Sequence, residues 1–434
     1  MIASRGGIAA QHFTPVELSE VEVSGTLPAL DPSPSGASRP VWVLVRLASE
    51  PLGYLELRVT DGGLSAGELG QAIFEQFGRQ VNERLLSAGC PGVSQIGGLG
   101  LGVDPALMPY AQTRDRVLAS APLFSVVIST RDRAPQLAGA LARLASQHYP
   151  DFEVIVVDNA PTTDEVPTVV KDAALDCRYV REDRPGLSWA RNAGVTAARG
   201  DLIAFLDDDE AADPYWLAEL LVAFRSGENI GAVSGMILPA ALATQAQEWF
   251  EQFGGHSKGR GFRPAVFSAR VGQSPLYPLP PFGAGGNMAF SREALTAIGG
   301  FDVALGAGTA ARGGEDTYAF SRVLLAGYRM AYQPSAFVRH NHYGDLEGLS
   351  RQLRGYGIGL TAYYTALMRR NPKVLKALLA LVPTALRDLR GNNSLTTATM
   401  RDFPPSVRRG QRMGMLTGPL AYVRSARAQA RLAK

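Results

Sequence analysis

Cysteine is scarce: two residues in 434, Cys90 and Cys177, far apart and without metal or redox spacing. That excludes a disulfide scaffold and favours a reducing compartment. No uncharged apolar run approaches the roughly 18 residues of a membrane-spanning helix. The opening "MIASRGGIAAQHFTP" has no apolar core of a secretory leader. A cytoplasmic location is expected, at most peripheral on the cytoplasmic membrane face. Phosphate loops are missing too. There is no Gly-Lys-Ser or Gly-Lys-Thr, which excludes a P-loop nucleotide hydrolase. The turn after the first core strand, "STRDRAPQ", has no glycine, which excludes a dinucleotide fingerprint and counts against a nucleotidyltransferase loop. A G-x-S-x-G run does occur at Gly255–Gly259, but it follows the helix-like "QAQEWFEQF" instead of a strand, the wrong setting for a serine hydrolase.

What remains is a globular composition, 46% hydrophobic and 19% charged, long enough for two or three domains. The net charge of +3 hides an asymmetry. Residues 369–434 hold 14 Lys and Arg against two acids, a net of +12, which leaves −9 on the rest. A basic tail on an acidic body suits an anionic partner. Nucleic acid is not expected, because no recognition motif accompanies the charge.

The spacing predicts a small N-terminal α+β domain over residues 1–120. Val41–Leu47 and Tyr54–Val59 read as strands. Ser65–Leu86 reads as a helix with Ser65 as N-cap and Glu68 three residues on, a capping box. The Gly-rich "GCPGVSQIGGLGLG" reads as a linker. From Phe124 apolar strands alternate with helices, the pattern of a parallel sheet covered on both faces. Ligands of such sheets bind beyond the carboxyl ends of the strands. Asp158 ends the second strand, and Asp207, Asp208 and Asp209 end the fourth, in "DLIAFLDDDE". The long Gly-, Pro- and Arg-rich stretch that ends in "PPFGAGG" reads as a mobile loop.

Three adjacent carboxylates repel one another. A hard divalent cation relieves that repulsion and takes carboxylate and phosphate oxygens together. The Asp cluster therefore points to a cation-bound diphosphate.

Six stretches, "FSVVISTRDR", "VIVVDNAPTT", "RPGLSWARNAG", "GDLIAFLDDDE", "FGAGGNMAFSREALTAIGGFD" and "GGEDTYAFSRVLLAGYRMAYQPSAFVRH", occur in an order that resembles glycosyltransferase family 2, from about Phe124 to Tyr343. The resemblance implies an α/β fold with a GT-A core over residues 121–345, between the N-terminal domain and a basic helical extension over 346–434. It implies a nucleotide-diphosphate sugar donor, inversion at the anomeric carbon, and Mn²⁺ or Mg²⁺ as cofactor. By the same resemblance, Thr130 and Arg131 would lie at the base and ribose, Asp158 at uracil, and Arg191 near the nucleotide. Asp207 would approach the ribose, Asp208 would stand behind as a bystander or supporting partner, and Asp209 would bind the metal. Gly286 and its neighbours would let the backbone approach the donor sugar, with Asn287 close by. Asp316 would be the base that deprotonates an acceptor hydroxyl, with Glu315 orienting it or the acceptor. His340 would complete the metal site or touch the diphosphate. The acceptor would be a glycan, a lipid-linked or a small-molecule hydroxyl. The later "RQLRGYG" departs from the Q-x-x-R-W pattern of processive synthases, which favours a single transfer.

Each residue also has an ordinary reading. Asp158 could cap a helix, Arg191 could be a solvated charge, Asp316 could complement a helix dipole, and Asn287 could end a strand. His340 and His342, two apart, could simply share a strand face. Trp189 and Trp216 read as packing residues. The tail could lie on an anionic membrane surface or pack as a helix pair. The alternatives to a transferase are a non-catalytic sugar-nucleotide-binding protein and a nucleotidyltransferase.

Overall fold

In a computed structural model that describes residues 13–33, 37–257, 260–269, 283–372, 374–376, 378–380, 383 and 403–432, the chain forms two sheets and a C-terminal helix pair. The N-terminal domain has three strands, β1 (Glu17–Glu22), β2 (Arg39–Leu47) and β3 (Glu50–Val59). β1 runs parallel to β2, and β2 antiparallel to β3. Helix α1 (Ala66–Ser87) covers the sheet with Leu69, Ile73, Phe77, Val81 and Leu85, and the Ser65–Glu68 capping box closes in both directions. β1, "ELSEVE", is a charged edge strand that shows little apolar pattern, and sequence reading passes over it. The Gly-rich stretch after α1 is no free linker. Ile96 is buried, Gly70 leaves room for the Ile96 carbonyl, and Gly100, at positive φ, lets that segment close on the Gly25 carbonyl.

The large sheet has strand order β10-β12-β9-β11-β7-β4-β5-β6, with β8 on β12. The strands are β4 (Phe124–Thr130), β5 (Phe152–Asn159), β6 (Cys177–Glu182), β7 (Leu202–Asp207), β8 (Glu210–Ala212), β9 (Ile230–Pro239), β10 (Ala265–Phe267), β11 (Asn287–Ser291) and β12 (Arg329–His340). β7, β4, β5 and β6 are parallel, as their apolar runs predict. β11 reverses direction between β7 and β9, so the sheet is mixed. Helices α3 (Ala134–Leu144), α4 (Glu165–Asp172) and α6 (Trp216–Phe224) pack on one face around Leu137, Trp216 and Leu220. Helices α5 (Leu187–Ala197), α8 (Arg292–Ile298) and α9 (Glu315–Leu325) pack on the other around Phe205, Phe290 and Phe320. α2 (Pro109–Leu118) joins the first face through Val117.

Arg46 of β2 ties the N-terminal domain to this core, reaching Asp213 and Glu20 at 2.7 Å each. At the far end, α10 (Leu346–Arg370) and α11 (Pro405–Leu432) lie side by side. Their closeness depends on glycine: a Cβ on Gly357 would stand 2.1 Å from the Gln411 carbonyl, and one on Gly418 2.0 Å from the Thr361 hydroxyl. Much of the mobile-loop stretch, residues 258–259 and 270–282, and tail residues 384–402 lie outside the described residues. Among the described residues no helix is long and apolar enough to cross a membrane.

Candidate active site

The sheet register assembles the acidic centre. β4 sets Thr130 beside Asp158 of β5 and Ser129 beside Asp207 of β7. The short strand β8 then turns back and pairs antiparallel with β12, which places His340 opposite Glu210. The chain thus brings a strand end from residue 340 onto the carboxylate run at residue 207. On the other side α9 starts at Gly314, whose positive φ of 86° makes the turn that delivers Glu315 and Asp316 at the helix N-terminus.

A cavity of about 420 Å³ lies between these elements. Arg191, Asp207, Glu210, Asp316, His340 and Tyr356 are among its walls. Thr130, Arg131, Asp158 and Asp209 are not among its lining residues and stand at the adjoining carboxyl end of the sheet. A cavity of similar size, about 440 Å³, lies between the N-terminal domain and the core. Its lining shares no residue with the acidic cavity and holds none of the Asp207–Asp209 run, so the chemistry belongs to the acidic one.

Within the acidic site each charge has a defined setting. Arg191 is buried, donates to Glu315 at 2.7 Å and to the Gly285 carbonyl at 2.9 Å, and lies 3.5 Å from Asp207. Burial raises the Glu315 carboxyl to about 7, and Asp316 beside it adds to the rise. Asp207 is open to the cavity with 42% of its side chain exposed, yet sits deep within the protein, and burial raises its carboxyl. Asp208 points inward, accepting from Thr130 Oγ1 at 2.7 Å and from Arg133 at 2.7 Å, and burial raises it to about 6. Asp209 takes the other arm of Arg133 at 2.6 Å. Burial pushes His340 down to about 4 against the pull of Asp209, so its ring is neutral at pH 7. Asp316 accepts from the Thr317 N–H at 2.6 Å.

The nucleotide side shows a different feature. Asp158 is fully buried, and Tyr179 donates to its Oδ2 at 3.0 Å. Its Oδ1 has no hydrogen-bond partner among the described residues, and burial raises the carboxyl. A buried acceptor left open in this way suits an incoming N–H. Arg131 is exposed, 3.8 Å from Asp132. Thr130 is buried with its hydroxyl committed to Asp208.

Asn287 stands apart from its sequence-based placement, while Gly285 and Gly286 line the cavity. Asn287 is fully buried, donates to the Met236 and Ala336 carbonyls at 2.8 Å each, and accepts from Trp216 Nε1. Its side chain is consumed in holding β9, β11 and β12 together. The glycines before it make room for protein atoms: a Cβ on Gly286 would meet Glu210 Oε1 at 2.3 Å, and one on Gly285 would meet Arg191 at 2.9 Å. Sequence reading missed Glu210 and Arg133 as site residues. Glu210 is buried beside Asp207, and its carboxyl is raised well above the usual range, first by burial and then by Asp207. The signal for it was the fourth acid of the run; for Arg133 it was the second arginine of "STRDRAPQ". In the G-x-S-x-G stretch, Ser257 Oγ donates to the Ile237 carbonyl at 3.0 Å, while Lys258 and Gly259 lie outside the described residues.

Residues 125–299, the segment that carries this site up to β11 and α8, match the sequence model described as glycosyl transferase family 2. The central segment is a family 2 glycosyltransferase domain. The domain is similar to a glucosyl-dolichyl phosphate glucuronosyltransferase of Haloferax volcanii, 28% identical over 42% of this chain and 56% of that protein. It is also similar to the succinoglycan biosynthesis protein ExoM of Rhizobium meliloti, 30% identical over 48% of this chain and 63% of the relative. A validoxylamine A glucosyltransferase of Streptomyces hygroscopicus matches at 33% identity over 38% of this chain and 39% of its own length. The match thus spans less than two thirds of each of these relatives. A mannosyltransferase structure from Pyrobaculum calidifontis, in complex with GDP-Man and Mn²⁺, aligns with a TM-score of 0.45 at 21% identity, over 75% of this chain and 87% of that one. The mixed α/β sheet with its helical C-terminal region is the GT-A arrangement that the family 2 resemblance implies.

Proposed function

We propose that the protein is an inverting glycosyltransferase that moves a sugar from a nucleoside-diphosphate donor to a hydroxyl acceptor. The observation that carries this reading is the placement of Asp316 across one cavity from Asp207 and next to the buried Arg191–Glu315 pair. Inverting transfer is a single displacement and needs one base at the nucleophile. In this reading Asp316 takes the proton of the acceptor hydroxyl. Glu315 holds Arg191, and Arg191 lends its charge to Asp207 at the donor side. Asp158, with its open Oδ1, accepts the imide N–H that uracil and thymine share, and the family 2 resemblance favours UDP of the two.

The residues fit a divalent cation. Asp207, Asp208 and Glu210 are raised because burial and mutual repulsion leave the cluster short of positive charge. Arg133 now neutralises Asp209 from the rim. Asp209 and His340 would hold Mn²⁺ or Mg²⁺, which supplies positive charge where the diphosphate departs. Asn287 is assigned to the architecture of the site, Gly286 to the cavity wall on the donor side, and Thr130 to orienting Asp208.

A thermal-shift panel of UDP, GDP, dTDP and CMP with Mn²⁺, Mg²⁺ or EDTA tests the reading. A ligand at 100 times its Kd stabilises by roughly 2.7 kcal/mol. The expected outcome is a metal-dependent shift with UDP that disappears in Asp209→Ala. No shift with any nucleotide would overturn the reading.

The tail belongs to the same proposal as an anionic membrane contact. On α11, Met413, Leu416 and Leu420 are exposed at helical spacing, with Arg409, Arg412 and Arg424 around them. An apolar stripe flanked by arginine suits a lipid surface, at roughly 1 kcal/mol per basic residue near it. Pelleting with phosphatidylserine vesicles but not with phosphatidylcholine vesicles is expected. Equal, negligible binding to both would remove this part.

A further inference from the structure

His256, His340 and His342 place ring nitrogens within 4.8 Å of one another next to Asp209. Two arrangements could produce such a cluster. Either the three rings surround an ion, or two of them, His340 and His342, pass hydrogen bonds along a chain. The distances select the chain. His342 Nε2 lies 2.8 Å from Glu251 Oε1, and His342 Nδ1 lies 3.0 Å from His340 Nδ1. Both are ordinary hydrogen-bond lengths.

The distances give the chain a direction. A carboxylate oxygen accepts, so Glu251 holds a proton of His342 on Nε2. His342 Nδ1 is then a bare lone pair. It accepts from His340, so the His340 proton sits on Nδ1. That leaves His340 Nε2 bare, and this atom faces Asp209 Oδ2 at 3.7 Å. Two acceptors face each other across a gap too long for a hydrogen bond. Metal bonds of roughly 2.1 Å from each side span such a gap.

The rings are held in place to do this. Phe250 meets His342 edge-on at 4.7 Å, and His256 meets His340 edge-on at 4.7 Å. Gln247 donates to the His342 carbonyl at 3.1 Å. Helix α7 (Gln245–Gln252), which carries Gln247, Phe250 and Glu251, is itself fixed by a Thr244–Gln247 capping box.

We propose that Glu251 and His342 are positioning residues that set the His340 tautomer, so that Nε2 presents a lone pair to a cation shared with Asp209. This rests on the cation reading of the site given above. A carboxylate–imidazole–imidazole support extends the carboxylate–histidine support common behind metal ligands, whose loss costs 10–100-fold in affinity.

The test is a Mn²⁺ titration without nucleotide, read by calorimetry, on the full chain and variants whose folding is checked by thermal unfolding. One ion per chain is expected. His342→Ala and Glu251→Ala should each weaken Mn²⁺ about 10–100-fold. His342→Asn, whose carbonyl can accept where Nδ1 did, should recover most of the loss. A folded His342→Ala that binds Mn²⁺ like the wild type would overturn the proposal. So would two ions per chain with one lost in His256→Ala, because the cluster would then itself be a site. If Asp209→Ala and His340→Ala leave binding unchanged, the cation reading itself fails. The tautomer can be read separately, in metal-free protein, by long-range ¹H–¹⁵N correlation on ¹⁵N-histidine. A bare His340 Nε2 is expected, and a protonated one overturns the proposal.

Discussion

Arg191 Nη1 and Glu315 Oε1 form an ion pair of 2.7 Å with both side chains almost wholly buried. The pair joins α5 to the start of α9, one residue before Asp316. Breaking a buried pair by removing one partner typically costs about 3–5 kcal/mol. Arg191→Ala should therefore lower Tm clearly. Arg191→Lys should fold but lose activity, since one ammonium cannot serve Glu315, Gly285 and Asp207 together. Wild-type turnover in Arg191→Lys would refute the role.

Asp316→Asn keeps the shape of the side chain and removes the base. A positioned base typically contributes about 10²–10⁴-fold. Transfer should fall in that range while the nucleotide-induced thermal shift stays. A parallel loss of nucleotide binding would show that Asp316 serves the donor instead.

Glu219 is a pH probe remote from the site. It is buried beside Arg114 at 3.6 Å and Gln333 at 3.4 Å, and burial raises its carboxyl to about 7 from an ordinary 4.5. A raised carboxyl gives stability that is full below the unfolded value and lost as pH rises through the folded one. The window is thus about pH 4.5 to 7, and its amplitude is on the order of 3 kcal/mol. Glu219→Gln should flatten the fall of Tm between pH 5 and pH 8. Superimposable pH profiles would show that Glu219 does not titrate in the folded chain.

Gly357 tests the helix pair. A methyl there would meet the Gln411 carbonyl, which is backbone and cannot swing aside. Gly357→Ala should cost about 1–3 kcal/mol as overpacking and disturb the cavity wall that Gln411 helps to form. An unchanged Tm would mean that the helices separate freely.

Sequence pattern revealed the parallel half of the sheet because β4, β5 and β7 are apolar without interruption. It revealed α1 because Ser65 and Glu68 spell its cap. It did not reveal β11 reversing between β7 and β9, since strand direction is set by pairing partners distant in the chain. Nor did it show that Asn287 turns inward: an Asn after glycines reads as a turn, and only the pairing with β7 and β9 buries it. The carboxylates stood out as a run. Glu251 and His256 did not, because their proximity to the His340–His342 pair is made by α7 folding back against the end of β12.

Gln429 accepts from Trp189 Nε1 at 2.6 Å, across 240 positions, and Tyr422 bonds to Asp302. Gln411, on the same helix, contributes to the cavity wall. During translation the carboxylates, Arg191 and His340 all emerge long before α11 does. The ribosome therefore exposes the acidic cluster for the time needed to add about 90 more residues, at roughly 5–20 residues per second. For those seconds the nascent chain carries its charged centre with one wall missing, and the cavity closes only as synthesis reaches the final helix.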